Sequence, residues 1–149
     1  MKKNNGKQRK KVINVVGTDA IDTFPQDALK KCRKGEEFKF YGSSGKIIAK
    51  TRTLSELIST LPEIPATIVQ FHIFRETTQD IFEPRSLDGP VVRSDLALWI
   101  NYVLGDTELS RRIYDIGKDI SSNSEILKQR IIEALKEREK ELINLIRPS

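Results

Sequence analysis

The sequence predicts an α+β domain: a small, mainly antiparallel sheet within residues 36–75, covered by helices drawn mostly from the C-terminal half. Three observations predict it. Residues 36–51 alternate apolar and polar on either side of Gly42-Ser43-Ser44-Gly45, as a β-hairpin does. Helix-capping signals recur at Thr53, Ser94, Asp106 and Ser122, each ahead of apolar residues at helical spacing. A chain of 149 residues has room for one sizeable core and not two.

The chain opens with a charge run. Residues 1–11 hold Lys2, Lys3, Lys7, Arg9, Lys10 and Lys11 with no acid among them, whereas residues 12–149 hold 20 cations against 21 acids. Nothing between Met1 and Val12 can bury apolar surface, so residues 1–11 are expected to be a disordered basic arm. Residues 12–149 are expected to form one globular domain. An arm of this kind neutralises phosphates and gains affinity by counterion release. The plainer alternative is a solvated terminus that aids solubility. With no aromatic in the arm, base stacking is not expected there.

Val12-Ile13-Asn14-Val15-Val16 is a short β-prone run stopped by Gly17, an edge strand or a segment that pairs with a partner. Thr23-Phe24-Pro25-Gln26 opens a short helix with Pro25 in its first turn; it passes through Ala28, Leu29 and Cys32 and ends at Gly35. Lys30, Lys31, Arg33 and Lys34 then complement the dipole at its C-terminus, an account preferred to a second phosphate site because Glu36 and Glu37 follow at once. In the hairpin, Phe38 and Phe40 share one face. Gly45-Lys46 is not a phosphate loop, because Phe40 stands where the first glycine belongs and Ile47 where the hydroxyl belongs.

Thr53-Leu54-Ser55-Glu56 is a capping box, and the helix it opens buries Leu54, Leu57, Ile58 and Leu61 before Pro62. Residues 67–75 read as the strongest strand, with Val69, Phe71 and Ile73 on one face and Ile68, Gln70, His72 and Phe74 on the other. Residues 76–93 form a long connection without a clear period. Ser94 caps a helix through Leu96, Trp99, Ile100 and Val103 to Gly105, and Asp106 caps another through Leu109, Ile113 and Ile116 to Gly117. Ser122-Asn123-Ser124-Glu125 opens a last helix to Ile146. Its apolar stripe is Leu127, Ile131, Ala134, Leu135, Leu142 and Leu145, and its surface carries the pairs Glu125–Lys128, Glu133–Lys136 and Glu137–Lys140.

The order of signals over residues 36–146 resembles an uncharacterised prokaryotic family, archaeal and bacterial, known as a domain of unknown function. The pieces that carry the resemblance are Phe38-Lys39-Phe40, Leu54-Ser55-Glu56-Leu57, Phe71-His72-Ile73-Phe74-Arg75, Ser94-Asp95-Leu96-Ala97-Leu98-Trp99-Ile100 and Leu104-Gly105-Asp106-Thr107-Glu108-Leu109. The family tends to Asn-Asp-aromatic where Ser94-Asp95-Leu96 stands, and to alanine where Ser110 stands. The resemblance implies strands followed by helices, and no reaction.

The composition excludes several classes. No apolar run is long enough to span a bilayer, and no apolar segment follows the first lysines as a secretory signal requires, so a cytoplasmic protein with no membrane partner is expected. One cysteine, Cys32, and one histidine, His72, build neither a disulfide nor a zinc site, so neither metal nor cofactor is expected. Catalysis would need a nucleophile–base pair, a metal cluster or paired carboxylates, and none is apparent. One cluster is a candidate ligand site: His72 and Arg75, with Asp95 and Trp99 at the start of the helix after the long connection. The bland account makes Trp99 core, Asp95 a first-turn carboxylate and His72 a hydrogen-bonded interior residue. Leu142, Ile143, Leu145 and Ile146 put four aliphatics within five residues, a candidate interface for a second copy or another protein. The function expected first is a non-enzymatic module that binds RNA or a ribonucleoprotein, the ribosome among them, through the arm. A protein-interaction or dimerisation module and a small-ligand domain around His72 are the alternatives.

Overall fold

The computed structural model describes residues 19–77, 91–120 and 122–147. In chain order the elements are α1 (Asp19–Leu29), β1 (Phe38–Tyr41), β2 (Ile47–Thr51), α2 (Leu54–Thr60) with a 3₁₀ turn (Leu61–Glu63), and α3 (Ala66–Ile73). Then come β3 (Arg75–Thr77), β4 (Val91–Arg93), α4 (Asp95–Trp99) with a π turn (Ile100–Leu104), α5 (Thr107–Asp119) and α6 (Ser124–Ile146). The strands form two antiparallel pairs, β1 with β2 and β3 with β4. The α+β class therefore holds, with helices supplying most of the cover.

Side-chain caps start the helices where the sequence places them. Thr53 accepts from the Glu56 amide at 2.9 Å, Ser94 from Ala97 at 3.2 Å and Asp106 from Leu109 at 3.0 Å. The returning arm of the α2 box reaches one residue further than expected, since Glu56 Oε1 accepts from the Arg52 amide at 2.7 Å. The last helix starts one residue late, on Asn123, whose side chain accepts from the Ile126 amide at 3.1 Å. Gly105 lies in the left-handed region at φ 76°, where only glycine is unstrained, and turns the chain from the π turn into α5.

Three expectations are corrected. Residues 66–73 are a helix, not a strand: α3 is apolar on nearly all sides and lies among α4, α5, α6 and β1, so its sequence carries no amphipathic period. α1 ends at Leu29, with Pro25 inside it and no basic residue in its last turn, so Lys30, Lys31, Arg33 and Lys34 do not serve its dipole. Gly117 does not end α5. It sits where α5 meets the end of α3, and a Cβ there would come within 3.0 Å of Ile73 Cγ2 and 3.1 Å of the Ile73 carbonyl oxygen. It is a close-approach glycine.

The core is built on α6, which packs against α1, α2, α3 and α5. Leu127, Ile131, Leu135 and Leu142 are buried along one stripe, together with Arg138. They meet Leu54, Leu57 and Leu61 of the α2 region, Ile73 of α3, Leu96 and Ile100 of α4 and its π turn, and Leu109 and Ile113 of α5. The hairpin lays Phe38 and Phe40 on this core and leaves its other face largely uncovered by the described residues.

Candidate functional site

His72 sits in the last turn of α3, directly under the hairpin. The Tyr41 amide donates to Nε2 at 3.2 Å, so Nε2 carries the lone pair and the neutral ring keeps its proton on Nδ1. Nδ1 lies 3.6 Å from Asp95 Oδ2, beyond hydrogen-bond reach, and is buried with no hydrogen-bond partner among the described residues. The ring is 2% exposed and is met edge-on by Phe38, Phe40 and Phe71, with centroids 5.3, 5.5 and 5.2 Å away. His72 thus joins α3 to β1 as a hydrogen-bonded interior residue. Trp99 is also core: its indole N–H donates to the Glu36 carbonyl at 2.6 Å and its ring lies 5.8 Å from that of Phe38. Of the cluster read from sequence, His72 and Asp95 come together, and Phe38 lies between the His72 and Trp99 rings. The Arg75 backbone pairs with Arg93, and the Arg75 side chain lies outside the described part of the chain.

Beside His72 is a cleft of about 610 Å³. Tyr41, Gly42, Ser43 and Gly45 form one wall, Thr67, Ile68 and Phe71 of α3 the other, and Asp95 stands at its edge. Tyr41 and Phe71 are 42% and 45% exposed, so part of each ring faces solvent. Sequence reasoning missed this wall of α3 because it read residues 67–75 as a strand. Tyr41 stands at a shift of register after Phe40, and its ring lies 6.2 Å from that of His72, a placement that the alternation of the hairpin does not reveal.

The alternation that buries Phe38 and Phe40 puts Lys39 on the uncovered face. The register pairs Lys39 directly with Lys50, and Lys46 follows in the exposed turn, held by the bond from the Gly42 amide to its carbonyl at 2.8 Å. Like charges directly opposite in a sheet are destabilising. Residues 31–34 run past the open end of the same hairpin. The Cys32 amide donates to the Arg52 carbonyl at 2.8 Å, and the Arg52 Nη2 donates to the Cys32 carbonyl at 2.8 Å. Lys31, Arg33 and Lys34 are exposed there. Residues 30–52 hold eight cations and two acids. The Glu37 carboxyl is held below the usual glutamate range, first by its own backbone amide and then by the Gly35 amide, with smaller pulls from Arg52 and Lys50; its slight burial opposes them.

Over residues 35–148 the chain matches a family of unknown function, DUF5752. The chain belongs to DUF5752. The resemblance read from residues 36–146 is to such a domain, and the match bears it out. No curated protein and no solved structure matches the chain. The DUF5752 stretch takes in the hairpin, the cleft, His72 and Asp95, while the arm and α1 precede it. At Ser110, where the family tends to alanine, the hydroxyl donates to the Ala97 carbonyl at 2.7 Å and ties α5 to α4.

A network of charges joins α5 to α6. Arg138 grips Asp106 with two bonds, Nε to Oδ2 at 2.8 Å and Nη2 to Oδ1 at 3.1 Å, and gives Nη1 to Glu141 at 2.9 Å. Arg112 bonds Glu141 at 3.0 and 3.1 Å and Glu108 at 2.8 Å, and Arg111 bonds Glu108 and Asp115. The expected partner of Glu125 is used otherwise, since Lys128 Nζ donates to the Pro62 and Ile64 carbonyls at 3.1 and 2.6 Å. Leu142 is corrected from interface to core, with 0% exposure. Ile143 and Leu145 are exposed, and Ile146 closes a small recess with Leu29 and Arg147. Leu145 lies at the helical angle of Leu127, five turns earlier, so its exposure reflects its place near the end of α6 and not its face. Lys2, Lys3, Lys7, Arg9, Lys10 and Lys11, and the run at residues 12–16, lie outside the described residues. Among the described residues no group of His, Cys, Asp and Glu could hold a metal ion, and no helix is long and apolar enough to cross a membrane.

Proposed function

We propose that this chain is a non-enzymatic binding module for nucleic acid or a ribonucleoprotein particle, the ribosome among them, anchored by its basic N-terminal arm in the cytoplasm. The observation that carries the reading is the segregation of charge: six cations and no acid in residues 1–11, ahead of 20 cations and 21 acids in the rest. Such an arm binds phosphates without reading sequence, and its affinity falls steeply with salt. The test is fluorescence anisotropy of a labelled single-stranded RNA across a salt series. The six arm cations together give a log–log slope of about −4. Changing all six to glutamine removes most of that slope. A full chain that ignores RNA at low salt overturns the reading.

A second reading, a domain that binds a small ligand beside His72, is favoured by the cleft of about 610 Å³ with its two exposed rings and one carboxylate. Saturable shifts of the Gly42, Gly45 and Thr67 amides on titrating a ligand would support it.

A further inference from the structure

The arm is not the chain's main concentration of positive charge on the fold itself. That lies on and around the hairpin, whose outward face presents Lys39 and Lys50 as direct cross-strand partners, with Lys46 in the turn and the ring of Tyr41 in the cleft beside that turn. None of these three lysines makes an ion pair among the described residues, in contrast to Arg111, Arg112 and Arg138. The Lys39–Lys50 juxtaposition costs folding free energy until an anion lies across it.

We propose that this uncovered hairpin face is a docking surface for single-stranded RNA, whose phosphates follow Lys39, Lys50 and Lys46 and one of whose bases enters the cleft between Tyr41 and Phe71. The proposal rests on the nucleic-acid reading above, though not on the arm. A row of lysines alone would suit any polyanion. Tyr41 and the cleft select the single strand, because an unpaired base can leave the phosphate line and stack on an aromatic ring, which a base in a duplex cannot. Among the described residues the cleft is walled by Tyr41, Ile68 and Phe71 with small neutral turn residues, a lining that suits a base better than a phosphate. The facing acids are Glu36 and Glu37 at the open end, away from the turn that carries Lys46. Lys31, Arg33 and Lys34 prolong the basic surface past that end.

The test uses the full chain and a fluorescein-labelled oligouridylate of about 12 nucleotides, followed by anisotropy over a range of salt. Changing Lys39, Lys46 and Lys50 together to alanine is expected to flatten the log–log salt slope by about 2 and to weaken low-salt binding at least tenfold. Tyr41→Ala is expected to weaken binding about tenfold without changing the slope, and to leave binding to a duplex of equal length unaltered. Amide shifts on adding the oligonucleotide to the unaltered chain give a readout independent of any variant, and should centre on residues 39–50. If the triple change leaves slope and affinity untouched while neutralising the arm abolishes binding, this proposal falls and the arm reading stands. It falls equally if the shifts lie elsewhere, or if the lysines govern binding to phosphatidylserine vesicles and not to RNA. If the full chain ignores RNA altogether, both fall.

Discussion

Replacing Arg138 by methionine tests the centre of the fold. Arg138 reaches the N-terminus of α5 from the middle of α6, and its two bonds hold a carboxylate, Asp106, that is 1% exposed. Asp106 Oδ1 also takes the Leu109 amide at 3.0 Å, so one side chain both caps α5 and fixes it to α6. Methionine keeps the aliphatic stem and removes the guanidinium, which leaves the buried carboxylate with one amide donor. Breaking a buried pair from one side costs about 3–5 kcal/mol. For a chain of this length that lowers Tm by roughly 10 °C. Asp106→Asn retains the cap, since Asn and Asp are equal there, and removes the charge. The double variant should therefore recover about 2 kcal/mol of the summed single losses, read by urea denaturation as a double-mutant cycle. An Arg138→Met chain within about 1 kcal/mol of the unaltered one would show an ion pair of ordinary surface worth, and would refute the reasoning.

Trp99→Ala should cost about 3–5 kcal/mol by the cavity it leaves, while Trp99→Phe, which loses the bond to the Glu36 carbonyl but keeps a ring, should cost far less; equal losses would place the indole outside the core. The Glu108 carboxyl is pulled from the ordinary 4.5 down to about 2 by bonds from Arg111 and then Arg112, so its contribution is present above 4.5 and lost as pH falls towards 2. Tm measured against pH should fall across that window and fall less in Glu108→Gln, and an identical slope in the variant would count against the network. Leu142→Glu should abolish cooperative melting and Leu145→Glu should leave it unchanged, because the first is wholly buried and the second 59% exposed; circular dichroism separates them.

Local chemistry made much of this fold legible. Thr53, Ser94 and Asp106 are caps whose partners lie three residues ahead, so sequence alone places the helices they start. At the last helix Ser122, Asn123 and Ser124 can all cap, and it is Asn123 that accepts from the Ile126 amide. α3 was misread because Thr67, Ile68, Val69 and Phe71 favour strands one by one, and burial on many sides removes the period that would have marked a helix. Gly117 looked like a helix end because the residue it accommodates, Ile73, is distant in sequence. For the candidate site, the sequence groups His72 with Asp95, and in the structure Nδ1 lies 3.6 Å from Oδ2. Tyr41 and Phe71 needed the packing of the hairpin on α3, and the Lys39–Lys50 pairing needed the register.

The division of labour between the two cationic side chains follows from their chemistry. Arginine presents a planar fork that meets carboxylates two bonds at a time and tolerates partial burial, and here Arg112 and Arg138 use it to join α5 to α6. Lysine is a strongly hydrated point charge on a flexible stem, poorly suited to such joints. On the hairpin it stands where no carboxylate answers it at ion-pair distance among the described residues. A fold that needed those positions only for solubility would gain from any neutral β-former at Lys50, because the repulsion with Lys39 would vanish. Lys50→Thr should accordingly melt at or above the temperature of the unaltered chain, so folding stability does not explain the lysine. If the same substitution weakens RNA binding, the hairpin face holds its charge for a ligand at the expense of its own stability. If Lys50→Thr instead lowers Tm, the lysine has a structural partner, and the argument from like-charge pairing fails.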